Sequence, residues 1–155
     1  SKFIGSQFFD GFGIGGEFGD DKKTMMKIIG WVNDELPEKN PRHLLGIGYP
    51  EDIPKIIKAG VDMFDCIVPT HYARRGIAFT SKGKLDLCKS IFLRDKSALD
   101  KRCACRVCQN YSPSYISHLF RVKEITAMSL LTFHNLYFFN SLVEKIRNEI
   151  KKGNF

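Results

Sequence analysis

The sequence predicts an α/β domain built on parallel strands, and three observations carry that expectation. Short apolar segments at residues 8–16, 43–48 and 61–68 read as strands ending in glycine or proline. Helical patterns at 22–36 and 51–59 separate them, and the connections are short. Strand–helix–strand order of this kind closes with right-handed crossovers and parallel pairing.

Each element has its own signal. Phe8, Phe9, Phe12 and Ile14 form a buried strand that runs into Gly15-Gly16. Met25, Met26, Ile29 and Val32 recur at helical spacing, and Pro37 stops that helix. His43-Leu44-Leu45-Gly46-Ile47-Gly48 is a strand with a glycine turn. The helix at 51–59 has acids in its first turn, Lys58 near its end and Gly60 just beyond, as the helix dipole and the left-handed cap prefer. Residues 61–68 form the third strand, stopped by Pro69. Three strands neither close a barrel nor fill a large doubly wound sheet, so they read as part of one.

After Pro69 the pattern changes. Residues 77–81 and 84–87 flank Lys82-Gly83 as a hairpin. Ser112 and Pro113 suit the N-cap and first position of a helix reaching about residue 128. A last helix is expected over about 133–152, with Leu136, Phe139, Leu142, Val143, Ile146 and Ile150 on one stripe, and with Tyr137, Phe138 and Phe139 in the core. His134 then sits at a helix start. The division expected along the chain is 1–88, 89–135 and 136–155.

The chain has 155 residues, 43% hydrophobic and 26% charged, ordinary values for a globular domain. No run approaches the roughly 20 apolar residues of a membrane span. The opening Ser1-Lys2-Phe3-Ile4-Gly5 is too short and polar for a signal peptide. It has no initiator Met and soon turns apolar, so the chain is expected to begin inside a larger protein. The net charge of +7 is compatible with a polyanionic partner.

Cys103, Cys105 and Cys108, with His134 well downstream, make a complete tetrahedral ligand set for structural zinc. Three thiols within six residues in a Lys/Arg context favour thiolates. Cys66 and Cys88 stand apart. Five cysteines form a poor disulfide framework, so a reducing cytoplasm is expected.

Asp65 is a carboxylate in an apolar strand, near the end where parallel α/β folds build their sites. A structural Asp capping a loop is the plain alternative. Asp62, three positions earlier, points to the other face and is expected in a surface or ion-pair role. Gly15, Gly16, Gly46 and Gly48 follow strands and permit close approach of a ligand to the backbone, or simply form tight turns. His71-Tyr72-Ala73-Arg74-Arg75-Gly76 reads as a basic aromatic loop suited to phosphate contact and base stacking, or as a solvated turn.

Several motifs occur together in order: Asp10-Gly-Phe-Gly-Ile-Gly-Gly16, Leu44-Leu-Gly-Ile-Gly48, Val61-Asp-Met-Phe-Asp-Cys66, Pro69-Thr70, Gly76-Ile-Ala-Phe-Thr80, the three-cysteine cluster and Leu131-Thr-Phe-His-Asn135. Over nearly its whole length the chain resembles the C-terminal half of the tRNA-guanine transglycosylases, also called queuine tRNA-ribosyltransferases. The resemblance implies the last three strands of a (β/α)8 barrel, a zinc-binding insertion at 89–135 and a C-terminal helix packing on the barrel. It implies exchange of guanine at the tRNA wobble position for a 7-deazaguanine, queuine or its precursor, without an external energy source. Asp65 matches the nucleophile that attacks ribose C1′ and holds a covalent tRNA intermediate. Gly15, Gly16, Glu17 and Gly46 match positions around the base. Gly46, Ile47, Gly48, Tyr49, Pro50, Glu51 and Asp52, and Thr70, His71, Tyr72, Ala73, Arg74 and Arg75, match segments that hold the anticodon loop. Cys103, Cys105, Cys108 and His134 match the zinc ligands.

The chain departs from the pattern in two places. Glu17-Phe18-Gly19-Asp20 makes a shorter, acidic rim after the glycine pair, where Glu17 either pairs with an ammonium on the incoming base or faces solvent at the start of the next helix. His71 stands where an Arg is common. The family's general acid/base Asp and its base-recognising Asp and Gln belong to an N-terminal half that this chain does not contain, so this chain alone is expected to be inactive. A homodimer in the full-length protein, a cytoplasmic location and no membrane contact are expected. The alternative reading is a non-catalytic, zinc-bearing tRNA-binding subunit.

Overall fold

Strand β1 (Phe12–Ile14) pairs in parallel with β2 (Arg42–Leu44), and β2 pairs in parallel with β3 (Met63–Phe64). The computed structural model describes residues 1–16, 18 and 21–155, and these divide into two units, Ser1–Cys66 and Ile67–Phe155.

In the first unit, helix α1 (Lys2–Gly5) precedes β1, helix α2 (Lys22–Asp34) joins β1 to β2, and helix α3 (Ile53–Lys58) joins β2 to β3. The mixed α/β order and parallel sheet are those the sequence predicts. Asp21 starts α2: its Oδ1 accepts from the Lys23 and Thr24 amides at 2.8 and 2.9 Å. The apolar period of α2 delivers Ile29 to a core of Phe12, Ile14, Leu36, Leu44, Ile56 and Val61. Arg42 is buried, and its guanidinium donates to the Leu36 and Gly60 carbonyls.

The strands are shorter than the sequence suggests. The β1–β2 ladder reaches Leu45, whose amide donates to the Ile14 carbonyl at 2.8 Å, and ends where Gly46 turns left-handed at φ +73°. Residues 65–68 are not strand. Val68 opens a helix, so Pro69 begins the next element rather than ending the last one. Proline fits a first helical turn because the amide it lacks has no partner there.

In the second unit, helix α4 (Val68–Arg74) leads into an antiparallel hairpin of β4 (Ile77–Thr80) and β5 (Gly83–Asp86). A 3-10 turn (Ser90–Arg94) follows, then helices α5 (Arg106–Asn110), α6 (Pro113–Arg121) and α7 (Ile125–Lys151). Residues 71–74, expected as a loop, are therefore helical. The helix predicted from Ser112 ends at Arg121 rather than 128, and the last helix starts at Ile125 rather than 133. Lys123, at φ +59°, makes the break. Its amide donates to the Phe120 carbonyl and the Glu124 amide to that of Leu119, a Schellman closure without the usual glycine. His134 thus lies well inside α7, not at its start. Of the predicted α7 stripe, Phe139 and Ile146 are buried, while Leu136 and Ile150 are exposed. Tyr137 is exposed too, against the expectation of a core position.

The second core contains Ala73, Ala78, Leu87, Leu99, Val107, Ile116 and Leu131. Asn135 is fully buried and ties its elements together. Its Oδ1 accepts from the Phe79 amide at 3.0 Å, and its Nδ2 donates to the Pro69 and Ile77 carbonyls at 3.0 and 2.9 Å. Among the described residues, no helix is long and apolar enough to cross a membrane.

Candidate active site and metal centre

Asp65 immediately follows β3, at the C-terminal end of the parallel sheet. Its Oδ1 accepts a hydrogen bond from His43 Nε2 at 2.9 Å and meets the Gly46 amide at 3.5 Å. An ionised carboxylate only accepts, so His43 carries its proton on Nε2. The strand register explains the meeting. His43 pairs with Met63, and Asp65 lies two residues on, on the same face. The His43 hydrogen bond, helped by the Gly46 amide against some desolvation, holds the Asp65 carboxyl below the usual carboxylate value. The Asp65 side chain keeps 60% of its exposure, so the carboxylate is ionised, oriented and open to a partner.

Gly46 supplies its amide from a left-handed conformation at φ +73°, which a side chain would strain. Gly48 is excluded from growth for another reason: a Cβ there would lie 2.7 Å from Cys66 Sγ. Gly15 and Gly16 follow β1 at the same C-terminal end of the parallel strands as Gly46 and Asp65. Glu17 lies outside the described residues. Ile47 and Pro50 are half-buried, and Tyr49 and Glu51 are exposed. Asp52 differs from these. It is 3% exposed, and its carboxylate pairs with Lys22 Nζ at 2.7 Å. That pair links the start of α2 to the start of α3. Asp62 accepts from the Arg42 amide at 2.9 Å, a backbone partner in place of the ion pair that was one expectation for it.

Thr70, His71, Tyr72, Ala73 and Arg74 lie on α4, and Arg75 caps it. Ala73 is buried, whereas Arg74 and Arg75 are exposed. Tyr72 packs edge-on against Phe79 at 5.3 Å, with the Lys84 ammonium 5.0 Å from its ring centroid.

The metal centre joins α5 and its lead-in to α7. His134 Nδ1 lies 3.9, 3.5 and 3.4 Å from the Sγ atoms of Cys103, Cys105 and Cys108. All four ligand atoms lie within 4.8 Å of one another. A tetrahedral zinc with ordinary bond lengths separates its nitrogen and sulfur ligands by about 3.5 Å, so the residues fit the ion. His134 Nε2 donates to the Phe79 carbonyl at 2.8 Å, which leaves Nδ1 bare toward the thiols. Burial pushes the His134 pKa down and keeps the ring neutral, as a ligand must be. Burial also pushes the Cys103 and Cys108 thiols up, so a dication is needed to hold them as thiolates. Zinc in this set has all four positions filled by protein, which makes it structural.

Sequence reasoning missed His43 and Asn135 as site and framework residues. Parallel register could have found His43, since aligning residues 43 and 63 places it beside Asp65. Asn135 stands at the end of the Leu131-Thr-Phe-His-Asn135 motif, which gives it no role of its own.

Residues 1–155 match the family model described as queuine tRNA-ribosyltransferase. A queuine tRNA-ribosyltransferase of Caldanaerobacter subterraneus is 48% identical over 93% of this chain and 39% of its own length. One from Halothermothrix orenii is 46% identical over 93% of the chain and 39% of its own length. One from Rickettsia typhi is 42% identical over 94% and 40%. The chain therefore spans about two fifths of the length of the curated relatives it matches. An exposed carboxylate held at the end of a parallel strand, a Cys3His centre and a match along every residue support one conclusion: this chain belongs to the queuine tRNA-ribosyltransferase family.

Proposed function

We propose that the protein carrying this chain exchanges bases in tRNA, replacing guanine at the anticodon wobble position with a 7-deazaguanine. The observation that carries this reading is the Asp65 carboxylate, ionised, open and held by His43 and Gly46. An Asp65 oxygen attacks ribose C1′ and forms a C–O bond. The C1′–N9 bond breaks, and its electron pair leaves with guanine, which takes a proton from a general acid. The 7-deazaguanine then gives its N9 proton to a base, and that nitrogen attacks C1′. The Asp65 ester bond breaks and returns the carboxylate. A covalent intermediate suits this exchange because one site must release one base and accept another while keeping the ribose.

In this reading β1, β2 and β3 are the last three strands of a (β/α)8 barrel, and residues 89–135 form the zinc-binding subdomain. Gly15, Gly16 and Gly46 border the base. The segments 46–52 and 70–75 hold the anticodon loop. Within them Asp52 acts through its pair with Lys22, and Arg74 and Arg75 offer phosphate contacts. Bound zinc fixes the α5 lead-in against α7. The full-length protein works as a cytoplasmic homodimer.

The test is exchange of labelled guanine in tRNA by the full-length protein and by Asp65→Asn. The carboxamide is nearly isosteric but is no nucleophile, so the variant should bind tRNA and fail to exchange. Exchange by Asp65→Asn near the wild-type rate would remove Asp65 from this role.

A further inference from the structure

We propose that His43 is a positioning residue that selects which Asp65 oxygen attacks, an inference that rests on the nucleophile reading above. Both donors, His43 Nε2 at 2.9 Å and the Gly46 amide at 3.5 Å, meet the same oxygen, Oδ1. A carboxylate that accepts two hydrogen bonds on one oxygen loses rotational freedom and leaves the lone pairs of the other free to attack. Oδ2 is then the attacking atom. When its bond to C1′ forms, Oδ1 becomes the carbonyl oxygen of the ester. A carbonyl oxygen still accepts hydrogen bonds, so His43 and Gly46 keep their partner throughout the exchange. Attack through Oδ1 would set the new bond against both donors.

The setting argues against a purely structural histidine. The His43 side chain keeps 34% exposure and is absent from the core that Leu44 and Ile29 build. Its ring reaches Asp65 from the middle of β2, where the register with Met63 fixes its height on the sheet. Gly46 lies two residues past the end of β2, so the strand and its exit turn supply the two donors. Positioning of this kind acts on the chemical step rather than on RNA capture.

The test compares full-length wild type, His43→Leu, His43→Gln and Asp65→Asn for the rate of covalent tRNA adduct formation and for the tRNA KM. His43→Leu should slow adduct formation on the order of ten-fold with the KM nearly unchanged. His43→Gln places an amide N–H near the former Nε2 and should recover most of the rate. A crystal structure of the adduct should show C1′ on the oxygen that faces away from residue 43. Wild-type adduct rate in His43→Leu, equal loss in both His43 variants, or a change confined to KM would overturn the inference. The arms separate the two claims. An inert Asp65→Asn beside a fully active His43→Leu removes only His43, whereas adduct formation by Asp65→Asn removes the nucleophile reading itself.

Discussion

Replacing Asn135 by Ala should destabilise the second unit more than any exposed substitution could. The side chain is fully buried and makes hydrogen bonds to the Phe79 amide and to the Pro69 and Ile77 carbonyls. These backbone groups belong to β4 and to the first turn of α4. Each lost bond to a buried group costs about 1–1.5 kcal/mol, and the sum over three bonds is about 3–4.5 kcal/mol. Asn135→Asp separates hydrogen bonding from packing. It keeps the volume and an acceptor for Phe79, but it turns a carboxylate oxygen toward two carbonyls. Its cost should match or exceed that of Ala. The assay is urea unfolding of zinc-loaded protein, with zinc content measured for each variant. A loss below about 1 kcal/mol for Ala, or an Asp variant close to wild type, would refute the claim that this amide network holds α7 to the hairpin.

Further outcomes follow from the same geometry. Elemental analysis should find one zinc per chain, and a strong chelator should melt the α5 lead-in first, because the four ligands tie that segment to α7 through one ion. Retention of full stability after complete zinc removal would contradict this. Gly46→Ala should cost about 1–2 kcal/mol of stability from the left-handed backbone alone, since a Cβ there meets no atom within 4 Å; unchanged urea unfolding would contradict it. The lowered Asp65 pKa means that its ionised form is present at neutral pH and is lost only as pH falls below the ordinary value near 3.8. Exchange should therefore show no Asp65 acid limb between about pH 5 and 7, and His43→Leu should move that limb upward in a pH–rate profile. An acid limb that stays in place after His43→Leu would contradict the hydrogen bond as its cause.

Much of this was legible in the chain. The parallel strands, the hairpin and the four zinc ligands rest on signals that are local or chemically specific. Element ends were less legible because tertiary geometry set them. The α6–α7 break depends on Lys123 in a left-handed conformation, and Val122-Lys123-Glu124 carries neither glycine nor proline to announce it. The 71–74 segment looked like a loop because its polar residues hid Val68, Pro69 and Ala73, the side that α4 buries. Asp52 read as an acid in the first turn of the 51–59 helix, and only the distant Lys22 explains its burial. His43 was invisible as a partner of Asp65 until the β2–β3 register was known.

The central claim is that Asp65 becomes covalently bound to tRNA. The most direct measurement is mass spectrometry of the full-length protein trapped with tRNA during exchange, digested with nuclease and protease. The account predicts a ribose-linked fragment on the peptide containing Asp65, and none in Asp65→Asn. A ribose adduct on any other residue, or exchange with no protein-bound ribose, would contradict it.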